Sequence, residues 1–251
     1  MFFWPFTREK TFKESELLNG LTDWHTHILP NVDSGARSMD DALNILSQYE
    51  RIGIKGVWLT PTISEEKPNE TSYLRKCFEE LQEEYDNKLQ TTNRTPVILN
   101  LASDNMLDSL LCERLKKHDI LPIGMDGKHL LVHMEVAHSP NNMYELVKQV
   151  QEAGYVPILA HPERYFYLEH ADYHKLRKDM GVSFQMSIQS LAGMYGPEAK
   201  HRAMTLLEKG YYTHVGTDIC DIHKFFAAVT EYKISIKHLD VIREIITSTP
   251  N

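Results

Sequence analysis

The sequence predicts an α/β fold built on parallel strands closed toward a barrel, and three observations carry that prediction. Short apolar, β-branched runs alternate with amphipathic helical patterns along the 251 residues. Seven such runs occur, each followed by enough chain for a crossover back to the same edge, which parallel pairing requires. Histidine and aspartate recur where the runs end, the place where a parallel barrel keeps its chemistry. An open doubly wound sheet is the alternative, but no Gly-rich phosphate loop follows the first run.

In order, the predicted strands are Leu21–His25, Ile54–Thr60, Pro96–Ala102, His129–Met134, Tyr155–Ala160, Val182–Met186 and Tyr212–Thr217. Ser38 is placed to cap a helix, with Asp41 near the capping-box position. Ala42, Ile45, Leu46, Tyr49 and Ile52 follow at helical spacing, and Gly53 ends the run. The highly charged stretch 70–90 reads as a second helix, with a loop over 91–95. Met143, Leu146, Val147, Val150 and Ala153 form another helix closed by Gly154. Pro197 starts one that carries Ala203, Leu206 and Leu207 and ends at Gly210. Residues 17–251 are therefore expected to form a single barrel domain, preceded by an N-terminal arm, 1–16. The aromatic start, Met1-Phe2-Phe3-Trp4-Pro5-Phe6, is too short for a signal peptide's apolar region and reads as packing on the barrel.

Composition narrows the function classes. Hydrophobic residues make up 42% and charged residues 25%, enough for a core that folds without disulfides or a structural metal. With 27 basic against 35 acidic residues and no Lys/Arg cluster, a nucleic-acid surface is not expected. No apolar run reaches transmembrane length. Three widely spaced cysteines, Cys77, Cys112 and Cys220, fit a reducing compartment, so a cytoplasmic location is expected.

The strand ends hold the candidate site. The first ends in Asp23-Trp24-His25-Thr26-His27, the second in Thr60-Pro61-Thr62, and the third in Ser103-Asp104. The fourth contains His133, the fifth ends in His161-Pro162-Glu163-Arg164, the sixth leads to Ser187 and Gln189, and the seventh ends in Thr217-Asp218-Ile219-Cys220. Residues two apart on a strand share a face, so His25 pairs with His27 and Asp218 with Cys220. Imidazoles and carboxylates converging from five strands make a polynuclear metal site. Among the 13 histidines, those at 118, 129, 138, 170, 174, 201, 214 and 223 read as surface or packing residues. Tyr165, Phe166 and Tyr167 form either an aromatic wall for an aryl substrate or a packed helix start.

The stretch Asp23-Trp24-His25-Thr26-His27-Ile28-Leu29-Pro30, followed by Val32-Asp33-Ser34-Gly35-Ala36, resembles the opening of the bacterial manganese-dependent tyrosine phosphatases of the PHP superfamily, which are linked to capsular and exopolysaccharide synthesis. Ala160-His161-Pro162-Glu163-Arg164-Tyr165, Phe184-Gln185-Met186-Ser187 with Ser190-Leu191, and Gly216-Thr217-Asp218 resemble further signatures, so the likeness runs in order over about residues 17 to 240. The resemblance implies a distorted (β/α)7 TIM-like barrel with three metals at its rim. By motif, His25, His27 and Asp218 match ligands of the first metal, Asp104 falls at a bridging Glu, His133 falls where the phosphatases have Glu, and His161 matches a second-metal ligand. Asp33 matches a third-metal ligand, and Arg164 matches the arginine that holds phosphate.

The departures concentrate at the third metal, where Thr62 and Cys220 stand in place of two histidines. Thiolate suits zinc and suits manganese poorly. One or two divalent ions rather than three are expected, manganese first, with iron or zinc as alternatives. The implied function is a phosphotyrosine-protein phosphatase, its substrate a bacterial tyrosine kinase among others, with the third metal site eroded and activity reduced. His133 and Glu163 are the side chains considered for acid assistance. Two alternatives stand beside this reading: a degenerate member that binds and regulates, and a phosphatase for a small phosphate monoester.

Overall fold

The structure is a computed structural model and describes residues 8–91 and 93–249. The elements run β1 (Glu9–Lys10), β2 (Thr22–Thr26), α1 (Met39–Ile52), β3 (Gly56–Leu59), β4 (Thr62–Ile63), α2 (Thr71–Leu89), β5 (Ile98–Leu101), β6 (Asp104–Met106), α3 (Ser109–Lys117), β7 (His129–His133), α4 (Met143–Glu152), β8 (Val156–Ala160), α5 (His170–His174), β9 (Ser183–Ser187), α6 (Ile188–Ala192), α7 (Pro197–Glu208), β10 (Tyr212–Gly216), α8 (Ile222–Thr230), β11 (Ile234–Ser235) and α9 (Ile236–Ser248). Each of the seven predicted strands is present, within two residues at either end.

The strands form a parallel sheet in the order β10-β9-β8-β7-β6-β4 and a second parallel sheet, β2-β3-β5. The short strands β4 and β6 were not anticipated. They arise where β3 and β5 give out and the chain changes sheet. Pro61 follows β3 and has no N–H to continue a ladder. Its carbonyl instead accepts from Asp104 N at 3.1 Å, which starts the β4–β6 pairing. At the other seam, Asp218 N donates to His25 O at 2.8 Å and His27 N to Ile219 O at 3.0 Å, which binds the end of β2 to the turn after β10. The result is a parallel α/β arrangement in which the ends of β2, β7, β8 and β10 meet the start of β6.

Local chemistry accounts for the helices read from sequence. Ser38 Oγ accepts from Asp41 N at 3.1 Å, and Gly53 closes α1 with φ 80°, a conformation that glycine adopts without strain. Helix α1 buries Ala42, Leu43, Ile45, Leu46 and Tyr49. Full burial of one such aliphatic side chain is worth about 1.5–3 kcal/mol. Helices α3, α5, α6, α8 and α9 were not anticipated. Two of them are short, and α8 starts directly after the site, capped by Asp221, whose carboxylate accepts from His223 N and Lys224 N.

The main core fills the space between strands and helices, and a smaller cluster unites Trp24, Trp58, Ala102, Ile123, Leu131, Ile158 and Ala160. Residues 1–7 of the expected arm, including its aromatic run, lie outside the described residues. Within the rest of the arm, Glu9–Lys10 pair antiparallel with Ile234–Ser235, and Phe12 is fully buried.

Candidate metal centre

The first strand delivers two imidazoles whose free nitrogens are set by their partners. His25 Nδ1 lies 3.0 Å from Gln185 Oε1, and the Gln185 amide nitrogen donates to Met186 O. That fixes Oε1 as acceptor and Nδ1 as donor, so Nε2 keeps its lone pair for the site. Gly216 permits this approach: a Cβ there would sit 2.6 Å from Gln185 Nε2 and 2.7 Å from His25 Cβ. His27 Nδ1 lies 2.6 Å from Asp33 Oδ2, which turns Nε2 toward Asp218 Oδ1 at 3.6 Å. The loop carrying Asp33 folds back on His27, and only glycine fits at Gly35, where a Cβ would meet His27 O at 1.9 Å.

Two carboxylates stand among these rings. Asp104 places Oδ2 3.4 Å from His25 Nε2 and Oδ1 2.8 Å from His133 Nδ1. Asp218 turns Oδ1 toward His25 Nε2 at 3.9 Å and accepts Arg164 Nη1 on Oδ2 at 3.0 Å. His161 stacks on His25 with ring centroids 5.5 Å apart. His161 and Asp218 both adopt left-handed backbone, φ 35° and 53°, which is uncommon outside glycine and is held here by the packing around them. His25, His27, Asp104, His161 and Asp218 are buried, and His133 is nearly so.

Despite this crowding, His25 Nε2, Asp104 Oδ1, His133 Nδ1 and His161 Nδ1 are buried without an aligned hydrogen-bond partner. Asp104 still faces His133 and His25 at ion-pair distance, so these atoms form a set of imidazole and carboxylate ligands held close together. Three donor groups meet within 4.8 Å: His25, His161 and Asp218; His25, His27 and Asp104; and His27, Asp218 and Cys220.

The electrostatics agree. Burial pushes the Asp104 carboxyl up, but the His133 and His25 charges outweigh it and hold it well below the usual carboxylate range. Asp218 is likewise pulled down, burial being overcome by His27, His25, His161 and Arg164. Burial opposes the charged form of His27, yet Asp33 and its other anionic neighbours raise it well above 6.5. His161 goes the other way, driven down by burial and by Arg164 beside it. A cation entering this cluster replaces protons on imidazoles whose carboxylate partners are already ionised.

The structure brings together His25, His27, Asp104, His133, His161, Asp218 and Arg164. It places the remaining residues elsewhere or in other work. Asp33 is occupied: Oδ2 takes His27 Nδ1 and Thr62 N, and Oδ1 takes Gly35 N. Cys220 lies beside His27 and Asp218 with Sγ 3.7 Å from Asp218 O. Glu163 leaves the rim altogether. It is fully buried, accepts from Ser187 N and Tyr212 OH, and its carboxyl is raised by burial. Tyr165 is also core rather than wall, its hydroxyl accepting from Met134 N, while Phe166 stays exposed.

Three residues of the site were missed in sequence. Gln185 and Gln189 were quoted within motifs without a role, yet Gln185 orients His25, and Gln189 Nε2 donates to Thr217 O and Asp218 O at 2.8 Å. Tyr195, whose hydroxyl reaches Asp218 Oδ2 at 2.9 Å, sits in a loop with no metal-ligand spacing to reveal it. Asp23 proves structural: it accepts from Tyr49 OH and from the backbone of His25 and Thr217, tying β2 to β10.

Comparison with known proteins gives the family and the fold. The family model described as capsular polysaccharide synthesis, CpsB/CapC, matches residues 21–238. The tyrosine-protein phosphatase YwqE of Bacillus subtilis is 27% identical over 202 residues, 79% of this chain and 76% of its own length. The tyrosine-protein phosphatase CpsB of Streptococcus pneumoniae is 27% identical over 218 residues, 79% of this chain and 82% of its own. Among solved structures, a chain from the crystal structures of YwqE from Bacillus subtilis and CpsB from Streptococcus pneumoniae, metal-dependent tyrosine phosphatases, superposes with TM-score 0.72 at 23% identity, covering 90% of this chain and 85% of that one.

Proposed function

The chain belongs to the CpsB/CapC family of capsular polysaccharide synthesis, and from that premise we propose that it is a metal-dependent protein-tyrosine phosphatase. The observation that carries the reading is the buried cluster of His25, His27, Asp104, His161 and Asp218, whose ligand atoms meet within 4.8 Å in groups of three, with Arg164 beside them. We read the two parallel sheets as one distorted (β/α)7 barrel spanning 17–251, with 1–16 as its arm. The hydrogen bonds joining β2 to the turn after β10 support this closure.

The donor set fits a divalent ion of the manganese, iron or zinc kind, since it is all imidazole nitrogen and carboxylate oxygen. His25, His27, Asp104, His133, His161 and Asp218 would hold one or two such ions. A third has little to bind, because Asp33 is committed to His27 and Thr62 brings no imidazole. A bound divalent ion would neutralise phosphate oxygens and ease the deprotonation of water near pH 7.

The chain's own groups do the rest. Gln185 and Asp33 each hold one nitrogen of His25 and His27, so the opposite nitrogens face the site without rotating. Arg164 keeps one N–H on Asp218 and has others left for the phosphate oxygens, a charge-assisted contact that lysine reproduces poorly. The phenolate of tyrosine, with a pKa of about 10, leaves without strong acid assistance. That matches the burial of Glu163, next to Arg164 in sequence, in the core. No helix among the described residues is long and apolar enough to cross a membrane. A cytoplasmic enzyme acting on phosphotyrosine proteins, a bacterial tyrosine kinase among them, is the reading we adopt.

The test is phosphate release from a phosphotyrosine peptide with manganese, iron or zinc supplied in turn, beside a phosphoserine peptide and a His25→Ala control. Release from the tyrosine peptide alone, lost in the control, is expected. No release with any metal, or equal release in the control, would refute the proposal.

A further inference from the structure

We propose that Tyr195 is a positioning residue of this site: its ring supports the face of the Arg164 guanidinium, and its hydroxyl holds one oxygen of Asp218. The proposal rests on the phosphatase reading for its substrate and on geometry for everything else.

Tyr195 is carried by the loop between α6 and α7. Gly193 and Gly196 flank it with φ 94° and 93°, and the turn is closed by Met194 N to Gln189 O at 2.9 Å and Gly196 N to Gly193 O at 3.1 Å. The Gln189 side chain then reaches across to the carbonyls of Thr217 and Asp218. This loop and the left-handed turn at Asp218 are therefore fixed to each other. The Arg164 guanidinium carbon lies 4.0 Å from the centre of the Tyr195 ring, a cation–π stack. Tyr195 OH and Arg164 Nη1 both donate to Asp218 Oδ2, at 2.9 and 3.0 Å.

Two consequences follow from one side chain. Asp218 Oδ2 is occupied by the tyrosine and the arginine, which leaves Oδ1 turned to His25 and His27. The arginine, with one face covered and one N–H engaged, has few rotamers left to lose when phosphate arrives. An unsupported arginine would pay that ordering on binding, so the ring of Tyr195 should appear in KM and in phosphate affinity rather than in the chemical step.

The experiment compares Tyr195→Phe, Tyr195→Leu, Arg164→Ala and the Tyr195→Leu/Arg164→Ala pair on the manganese-loaded chain. The readouts are para-nitrophenyl phosphate kinetics, calorimetric binding of inorganic phosphate, and metal content. Tyr195→Leu is expected to raise KM and weaken phosphate binding about tenfold, with metal content unchanged. Tyr195→Phe, which keeps the ring, should come back to within about threefold of wild type. In the Arg164→Ala background Tyr195→Leu should cost less than about twofold, because its effect runs through the arginine. Equal losses in both backgrounds, or unchanged phosphate affinity in Tyr195→Leu, overturns the proposal. Absence of turnover in the wild type would sink the phosphatase reading alone. The phosphate-binding arm then decides Tyr195 by the same tenfold criterion, and a wild type that binds no phosphate overturns it.

Discussion

Where β2, β7, β8 and β10 end and β6 begins, His25, His27, His133 and His161 gather around Asp104 and Asp218; near the starts of β7 and β10, His129 stands by His214, which packs on Trp24. Both groups hold buried imidazole, and only the first resembles a ligand set. His214 stands edge-on to Trp24 with centroids 4.6 Å apart, its Nδ1 bonded to Thr213 Oγ1. Burial, with His129 and Arg177 nearby, drives its pKa down to about 3. The cavity it lines, about 410 Å³, offers one carboxylate, Asp126, and that pairs with His129. At the rim the carboxylates stand between the rings, 2.8 to 3.9 Å from their nitrogens. Burial alone therefore does not make a histidine a ligand. What distinguishes the rim is carboxylate between imidazoles, with outer partners fixing the His25 and His27 rings.

The largest expected effect breaks the rim. Asp104→Asn removes the carboxylate shared by His25 and His133 and should lower turnover on the order of 10³-fold. The circular dichroism spectrum should not change, since the core is built elsewhere. A variant with a tenth or more of wild-type activity would mean Asp104 is not central. Arg164→Lys comes next. It exchanges a planar fork stacked on Tyr195 for a point charge and should cost about 10²-fold in kcat/KM for a phosphotyrosine peptide. A loss below about threefold would remove the arginine from phosphate binding.

The third prediction addresses the other end. The unfolded chain protonates His214 near pH 6.5, while the folded chain keeps it neutral down to about 3. Between those values the unfolded state binds more protons, so the His214 contribution to stability is lost as pH falls through that window. His214→Phe should flatten the decline by on the order of 2 kcal/mol at pH 5 relative to pH 7, read from urea unfolding. Parallel curves for wild type and variant would contradict it. The smallest effect sharpens the rim: Thr62→His with Cys220→His should add one metal ion per chain and raise turnover no more than about tenfold. Unchanged stoichiometry would remove the account of these two positions.

Much of this was legible before any coordinates. His25 and His27 declare themselves by spacing, and Asp104, His133, His161 and Asp218 by recurring at strand ends, because a parallel fold sends those ends to one side. Strands β4 and β6 were not legible. Segments of two and three residues carry no periodicity, and they exist because Pro61 ends one ladder while its carbonyl starts another. The burial of Glu163 was not legible, because sequence adjacency to His161 and Arg164 does not say which way a side chain points. Asp33 was read through motif as a ligand, whereas in the fold all its donors are protein N–H groups. Tyr195 is fixed by a long-range meeting of the α6–α7 loop with β10, which no local pattern records.

We propose that the rim histidines bind metal and that those at the opposite end pack. Elemental analysis of purified wild type, His161→Ala and His214→Phe, each dialysed against the same manganese buffer, tests it most directly. One or two ions per chain are expected in wild type and in His214→Phe, and at least one fewer in His161→Ala. Equal metal content in all three proteins, or none in the wild type, would contradict it.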